Sequence, residues 1–172
     1  MIRGVWNRET VGWVLAASTL PALAGMVAGT GPEPLLRLGA GLAVVALWQL
    51  LFRALQGVPP TPAGAVTAVA VTVLAGPELA LWQVILATSF GTVIAELLFG
   101  GWGRNVFGAG TAALAFLYLS FPGIAHPALG VELLAGCVTA GAILLATGIL
   151  PLAIVVSGVL GWAAFCLLLG VD

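Results

Sequence analysis

The chain has 172 residues, 62% of them hydrophobic and 6% charged, with a mean hydropathy of +1.21, a formal net charge of −1 and no lysine. A water-soluble domain of this size needs far more surface charge, and a nucleic-acid-binding face needs a basic stretch that this chain lacks. With one histidine and no P-loop, nucleophile elbow or usefully spaced carboxylate pair, hydrolytic and phosphoryl-transfer chemistry are excluded as well.

Runs of about 20 apolar residues cross a hydrocarbon core of roughly 30 Å. Glycine and proline punctuation divides this chain into segments of that kind, which predicts an all-α, polytopic integral membrane protein with about seven membrane segments, five full spans and two short or broken helices. The first span covers residues 11–28 and stops at Gly29-Thr30-Gly31-Pro32-Glu33-Pro34; the second covers 35–55. After Gly57-Val58-Pro59-Pro60-Thr61-Pro62 comes a short, small-residue segment at 62–75, then Gly76-Pro77-Glu78 and a full span at 79–99. The break Phe99-Gly100-Gly101-Trp102-Gly103-Arg104-Asn105-Val106-Phe107-Gly108 leads into a second short segment at 110–121. Full spans at 131–149 and 152–171 complete the chain, with Pro151 suited to the first turn of the last helix. Residues 1–172 read as a single transmembrane domain with no water-soluble part.

Cytoplasmic loops carry the excess of arginine. In a seven-segment serpentine Arg3, Arg8, Arg53 and Arg104 share one side, while Glu33, Glu78, Glu132 and Asp172 share the other with Arg37, which Glu33 can pair four residues earlier. This predicts a cytoplasmic N-terminus and an external Asp172. The first apolar segment is too long for a signal-peptide core and lacks a clean cleavage site, so it is expected to remain as a helix. Cys137 and Cys166 lie in apolar spans without a second ligand at metal-binding spacing, which predicts no disulfide framework and no metal.

The two short segments are the architectural clue, because paired short or Gly/Pro-interrupted helices point to a midplane site in repeat-built membrane proteins. A helix that starts inside the membrane has unpaired N–H groups that must meet a ligand, a side chain or water, and its positive end favours an electronegative group. A phosphate, a carboxylate or the carbonyl edge of a flavin ring suits that end. Two tilted ordinary helices with polar ends are the alternative.

Residues 86–122, reading LATSFGTVIAELLFGGWGRNVFGAGTAALAFLYLSFP, resemble the NqrB/RnfD subunits of the sodium-pumping NADH:quinone reductase and Rnf complexes. Those subunits carry a comparable helix, a Gly-Gly-x-Gly-x-Asn-x-Phe-Asn-Pro-Ala turn and a helix ending Ser-Phe-Pro. The resemblance implies an all-helical fold of two inverted repeats with flavin held in the membrane and electrons passed across it. On that basis residues 1–122 correspond to a first repeat and 131–172 to the start of a second, incomplete one, in a shortened, divergent member.

Mapped residue by residue, Gly100, Gly101, Gly103, Asn105 and Phe107 hold motif positions, as do Ser120, Phe121 and Pro122. Where the family has Asn-Pro-Ala this chain has Gly108-Ala109-Gly110, which loosens the start of the short helix. The long family loop with its Asp-x-x-Ser/Thr-Gly-Ala-Thr signature, whose last threonine takes flavin mononucleotide in phosphoester linkage, is replaced by residues 123–130. The resemblance therefore implies a flavin, riboflavin or FMN, bound non-covalently, with no covalent FMN on this chain. A second membrane subunit is expected to complete the fold, a heteromer being favoured over a homodimer, with Gly136-x-x-x-Ala140 and Gly158-x-x-Gly161 offering close helix contact.

The expected cofactor-binding residues are Gly100, Gly101, Trp102, Gly103, Arg104, Asn105, Phe107, Thr111 and Thr67; no catalytic residue is assigned. Arg104 either neutralises a flavin phosphate or reduced ring or serves as a topology anchor. Glu96 either pairs with Arg104 and relays a proton or cation, or reaches out to the interface. Thr61, Thr67 and Thr72 either contact a ligand or bond back to the helix. His126, beside Pro127, reads as a solvated loop residue, and the tryptophans at 6, 13, 82 and 102 as interfacial anchors, Trp102 alone being able to stack on a flavin. The leading expectation is an integral subunit of an Rnf/Nqr-like electron-transfer assembly in the cytoplasmic (inner) membrane. A half-transporter or channel for a small solute, and a cofactor-free scaffold, are the alternatives.

Overall fold

The computed structural model describes residues 7–75, 79–124 and 130–169, with side chains at all of these except 8, 159 and 162–169. Arg3, Trp6, Glu78, His126, Pro127 and Asp172 lie outside the described residues, as does the Cys166 side chain. Among the described residues the fold is entirely helical.

The first apolar run forms α1 (Arg8–Ser18) and α2 (Leu20–Thr30), broken only at Thr19. Pro21 lacks an N–H to continue the ladder, and the Ser18 and Thr19 hydroxyls donate to the Leu15 and Ala16 carbonyls at 2.8 and 2.7 Å, which bends the chain there. Helix α3 (Glu33–Gln56) is continuous over 24 residues and stops at Gly57, whose φ of 70° only glycine adopts without cost. The short helix α4 (Gly64–Leu74) follows. Helix α5 (Leu81–Phe90) runs on through a π-helical turn at Gly91–Glu96 and a 3-10 turn at Leu97–Phe99. Then come α6 (Ala109–Ser120), α7 (Val131–Ala146) and α8 (Leu152–Leu169).

Three of these stretches, Glu9–Thr30, Glu33–Gln56 and Leu81–Phe99, are long and apolar enough to cross a membrane, and Gly64–Leu74, Ala109–Ser120 and Val131–Ala146 are shorter apolar helices. Helices of 11 and 12 residues extend only about 17 and 18 Å at 1.5 Å per residue, so α4 and α6 cover roughly half the hydrocarbon thickness. The expected full span at 131–149 is shorter than anticipated. The Thr147 hydroxyl donates to the Ile143 and Leu144 carbonyls, and Gly148 turns the chain away with a φ of 72°, so the helix ends at Ala146.

The core lies where α4, α5 and α6 meet, built from Val71, Ala75, Leu79, Val84, Ala87, Ala113 and Leu117. A second cluster of Leu23, Met26, Val69, Val73 and Leu133 joins α2, α4 and α7. Lipid tails are as apolar as leucine, so helices in a bilayer gain by close packing of small residues rather than by escaping water. Gly91 illustrates this: a Cβ there would overlap the Ala109 carbonyl oxygen and lie 2.7 Å from the Ala113 Cβ. Large apolar side chains such as Leu36, Leu47, Leu55 and Leu119 are left on the outside, facing lipid.

Gly136 has a different role from the expected partner contact. It packs inside the chain, where a Cβ would overlap the Pro21 carbonyl oxygen of α2, and Gly25 of α2 sits equally tightly against Glu132. On α8, Gly158 and Gly161 face open space.

Contacts at the helix ends trace a serpentine path. Gly12 lies against Pro62 and Gly101 against Val58, so the start of α1, the end of α3, the start of α4 and the turn after α5 share one end of the bundle. At the other end the Tyr118 hydroxyl donates to the Leu74 carbonyl, and the Trp82 and Phe121 rings meet edge to face at 5.3 Å.

Replacing Gly91 by valine is expected to lower stability by about 1–3 kcal/mol or more through overpacking against backbone. Gly141→Ala, whose Cβ would meet nothing within 4 Å, is expected to leave stability unchanged or slightly raised. Thermal unfolding of the two variants in detergent, each against the parent chain, checks the contrast.

Candidate functional site

The glycine-rich turn after α5 is held by its own backbone and one side chain. Gly100, Gly101 and Gly103 have φ values of 94°, 91° and 87°, a region that residues with a Cβ rarely adopt. The Gly100 and Gly101 N–H groups donate to the Leu97 and Glu96 carbonyls, both at 3.0 Å. The Asn105 Oδ1 accepts from the Gly103 N–H and its Nδ2 donates to the Phe107 carbonyl, both at 3.1 Å. One amide thus spans the turn from Gly103 to Phe107 and fixes where α6 begins.

The two short helices begin differently. Ahead of α4, Gln49 of α3 is buried and grips the backbone of Thr61: its Nε2 donates to the Thr61 carbonyl at 3.1 Å and its Oε1 accepts the Thr61 N–H at 3.3 Å. Gly64 makes this possible, because a Cβ there would collide with the Gln49 amide. The N–H groups of Gly64, Ala65 and Val66 donate three residues back to Thr61, Pro62 and Ala63. Helix α6 has no such closure. Its first internal bond is from Ala112 to the Gly108 carbonyl, Gly108 has no capping side chain, and the N–H groups of Ala109, Gly110 and Thr111 have no acceptor among the described residues.

Between these two helix starts lies a partly open cleft of about 270 Å³. Its wall takes Leu15 from α1, Ala63, Thr67 and Ala70 from α4 and its lead-in, Glu96 from the π turn, Trp102 and Asn105 from the glycine-rich turn, and Gly108 to Thr111 from the start of α6. Gly110 brings α6 against α4, since a Cβ there would stand 3.2 Å from the Ala70 Cβ. Glu96 is the sole ionisable residue of that wall among the described residues; it is 2% exposed and has no charged partner among them. The Thr61 side chain stands beside its carboxyl without closing a hydrogen bond of ordinary geometry. Thr88 and Thr92 share the buried face of the same helix, their hydroxyls unpartnered among the described residues.

Of the residues expected at the site, Thr67, Trp102, Asn105 and Thr111 come together in the cleft wall. Gly100, Gly101 and Gly103 shape the turn instead, and Phe107 lines a neighbouring apolar groove with Phe90 and Phe116, whose rings stack at 4.5 Å; Thr111 belongs to both walls. Arg104 is exposed, lies against Gly100 and is absent from the cleft wall. Glu96 is buried in the cleft and unpaired with Arg104, so the interfacial placement is replaced by an inward one. Thr72 bonds back to the Ala68 carbonyl at 2.8 Å as helix hydroxyls commonly do. Trp13 and Trp82 are exposed, in keeping with interfacial anchoring. Gln49 escaped the sequence reading; the one available signal was an amide inside an otherwise apolar span.

The helical bundle and its cleft define a multi-pass membrane protein whose polar site is built at the starts of two half-length helices. The model of the NQR2, RnfD, RnfE family matches residues 3–127, and the chain belongs to that family. It is 34% identical over 79 residues to the NqrB subunit of the Na(+)-translocating NADH-quinone reductase of Haemophilus influenzae (strain PittEE), covering 46% of this chain and 19% of that protein. It is 37% identical over 75 residues to the corresponding protein from Klebsiella pneumoniae subsp. pneumoniae, covering 44% of this chain and 18% of the relative. For the Neisseria meningitidis protein of the same name the identity is 35% over 75 residues. The chain therefore matches less than a fifth of the length of these relatives.

Gln49→Leu leaves the Thr61 N–H unpaired in an apolar setting, at a cost of about 1–3 kcal/mol, and leaves its carbonyl with the Gly64 N–H alone. The expected result is a clear drop in thermal midpoint, whereas Gln56→Leu, at the exposed end of α3, leaves the midpoint nearly unchanged.

Proposed function

We propose that this chain is an integral subunit of an Rnf/Nqr-like electron-transfer assembly, in which the cleft holds the ring of a non-covalently bound flavin, riboflavin or FMN. The observation that carries the reading is the pairing of two kinds of group across one cavity. The open N–H groups of Ala109, Gly110 and Thr111 are donors, and the Glu96 carboxyl is an acceptor. An imide edge, carbonyl–N–H–carbonyl, as at one end of a flavin ring, presents the complementary order.

The size of the cavity fits this assignment in part of the ligand only. At about 270 Å³ it lies just below the roughly 300–1,000 Å³ of typical small-molecule pockets, so the ring enters and the ribityl chain lies toward the open side. Trp102 offers an aromatic face in the same wall. Asn105, with both ends of its amide committed to the turn, acts by holding the wall rather than by touching ligand. A bound flavin supplies the electron-accepting chemistry; the residues of this chain bind it, orient it and keep lipid out.

The family likeness supports the assembly, the cytoplasmic-membrane location and the inverted-repeat plan, with 1–122 as the first repeat and 131–172 as the beginning of the second. Arg53 and Arg104 sit at one end of the bundle, which supports a cytoplasmic N-terminus under the positive-inside rule. Gly158 and Gly161, with open space beside them, suit close contact with a second membrane subunit, and relatives named as one subunit of a larger enzyme support a heteromeric partner.

Purification in mild detergent with whatever accompanies the chain, followed by a visible spectrum and denaturation, tests the proposal. The expected preparation is yellow and releases near-stoichiometric flavin from the polypeptide. A colourless preparation that still lacks flavin with the partner present overturns the redox reading, and solute uptake by vesicles carrying the chain then identifies a transporter.

A further inference from the structure

We propose that Glu96 is the residue that selects the ligand, by accepting a hydrogen bond from a ring N–H on the ligand's edge, and that the cleft thereby takes a neutral imide-bearing ring and rejects anionic head groups. This rests on the flavin reading of the same cavity.

Three observations carry it. First, Glu96 is 2% exposed and belongs to the wall of the cleft, with the Thr61 side chain beside its carboxyl. A polar group withdrawn from water costs free energy unless partners are supplied, and the Thr61 hydroxyl beside it does not close a bond of ordinary geometry. Second, the titratable and charged groups that face it can be traced element by element. α1 contributes Leu15 to the cleft, α4 contributes Thr67, the glycine-rich turn contributes Trp102 and Asn105, and α6 contributes Thr111, so among the described residues no arginine or histidine lines the wall. Among the described side chains a phosphate or carboxylate placed there would meet a carboxyl and no cation, while Arg104, the nearest cation in sequence, lies on the exposed side of the turn. Third, the first-turn N–H groups of α6 are open donors in the same wall, in a helix long enough to have an end dipole that favours ligand carbonyl oxygens, and the Thr67 and Thr111 hydroxyls beside them can donate or accept.

Neither set of groups alone defines the ligand. Donors alone would suit any anion; a carboxyl in the same wall favours a ligand that brings an N–H as well as carbonyl oxygens. The position of Glu96 follows from the fold. The π turn of Gly91–Glu96 keeps Thr88, Thr92 and Glu96 on one buried face, and Gln49 holds the Thr61 backbone beside the carboxyl.

The test uses the purified chain with its co-purifying partner, stripped of bound flavin, and quenching of flavin fluorescence with two probes, riboflavin and its N3-methyl analogue, which lacks the edge N–H. Loss of one hydrogen bond to a buried carboxyl corresponds to about tenfold in affinity or more. Expected is at least tenfold weaker binding of the N3-methyl probe by the parent chain. Glu96→Leu is expected to weaken riboflavin by a similar factor and to leave the N3-methyl probe nearly unchanged, and Glu96→Gln, which keeps an acceptor oxygen, to bind riboflavin within about threefold of the parent. Riboflavin bound with no discrimination between the probes by the parent chain overturns this inference and leaves the flavin reading standing. So does equal discrimination by the parent and Glu96→Leu. No quenching by either probe overturns the flavin reading and this inference with it. The parent-chain comparison needs no substitution, so a variant that fails to fold does not shield the idea.

Discussion

Inside a membrane each backbone N–H and carbonyl must find a partner within the protein, and this structure turns on how the starts of two half-length helices meet that demand. A helix that begins in the apolar region has donors it cannot pair with itself. At α4 the demand is largely met from within: Gln49 takes the Thr61 N–H and carbonyl, and the Gly64, Ala65 and Val66 N–H groups close tight turns. At α6 the donors are left open, and they open into the cleft. The difference separates a structural helix start from one able to receive a ligand. The two are coupled, because the Gln49 grip fixes the residue that stands beside Glu96.

The close approach of α4, α5 and α6 is what brings these pieces into one cavity, and it depends on the absence of side chains at chosen points. Gly91 lets the helix running on from α5 touch the first turn of α6, Gly110 lets α6 touch α4, and Gly64 makes room for the Gln49 amide. Bundles of larger residues would hold the same helices too far apart for Glu96 and the α6 donors to face a common ligand. The π turn adds to this. It is a rare conformation, usually found as a single turn near functional sites, and here its last residue is the buried carboxylate.

Much of this plan was legible in the sequence. Gly/Pro punctuation placed the short helices within two residues of their observed limits, since a proline or glycine acts on its own backbone and needs no distant partner. Thr67, Trp102, Asn105 and Thr111 share one cleft wall because they sit on or beside those breaks. Gln49 was not legible, because nothing local distinguishes an amide that pairs with residue 61 from one facing a neighbouring protein; the information lies in a contact twelve residues away. Glu96, about a turn from the end of its helix, was equally able to turn outward or inward, and the packing of α4 decided it. Likewise the small-residue spacing at Gly136 marks a close helix contact without saying whether the other helix belongs to the same chain, and α2 occupies it.

Asn105 and Arg104, adjacent in sequence, divide the duties that a sequence reading assigns to both. Asn105 bonds to the turn with both ends of its amide, and Arg104 lies on the outside of that turn, so the cleft wall takes its polarity from backbone donors, the Thr67 and Thr111 hydroxyls and the Glu96 carboxyl. A cation inside would have drawn a phosphate into the apolar region at a large desolvation cost to both. With Arg104 outside, no described cation lines the cavity, which is the setting the proposed neutral ring requires. The balance of charge around the bundle end and the choice of what enters it are thus set by the same glycine-rich turn between α5 and α6.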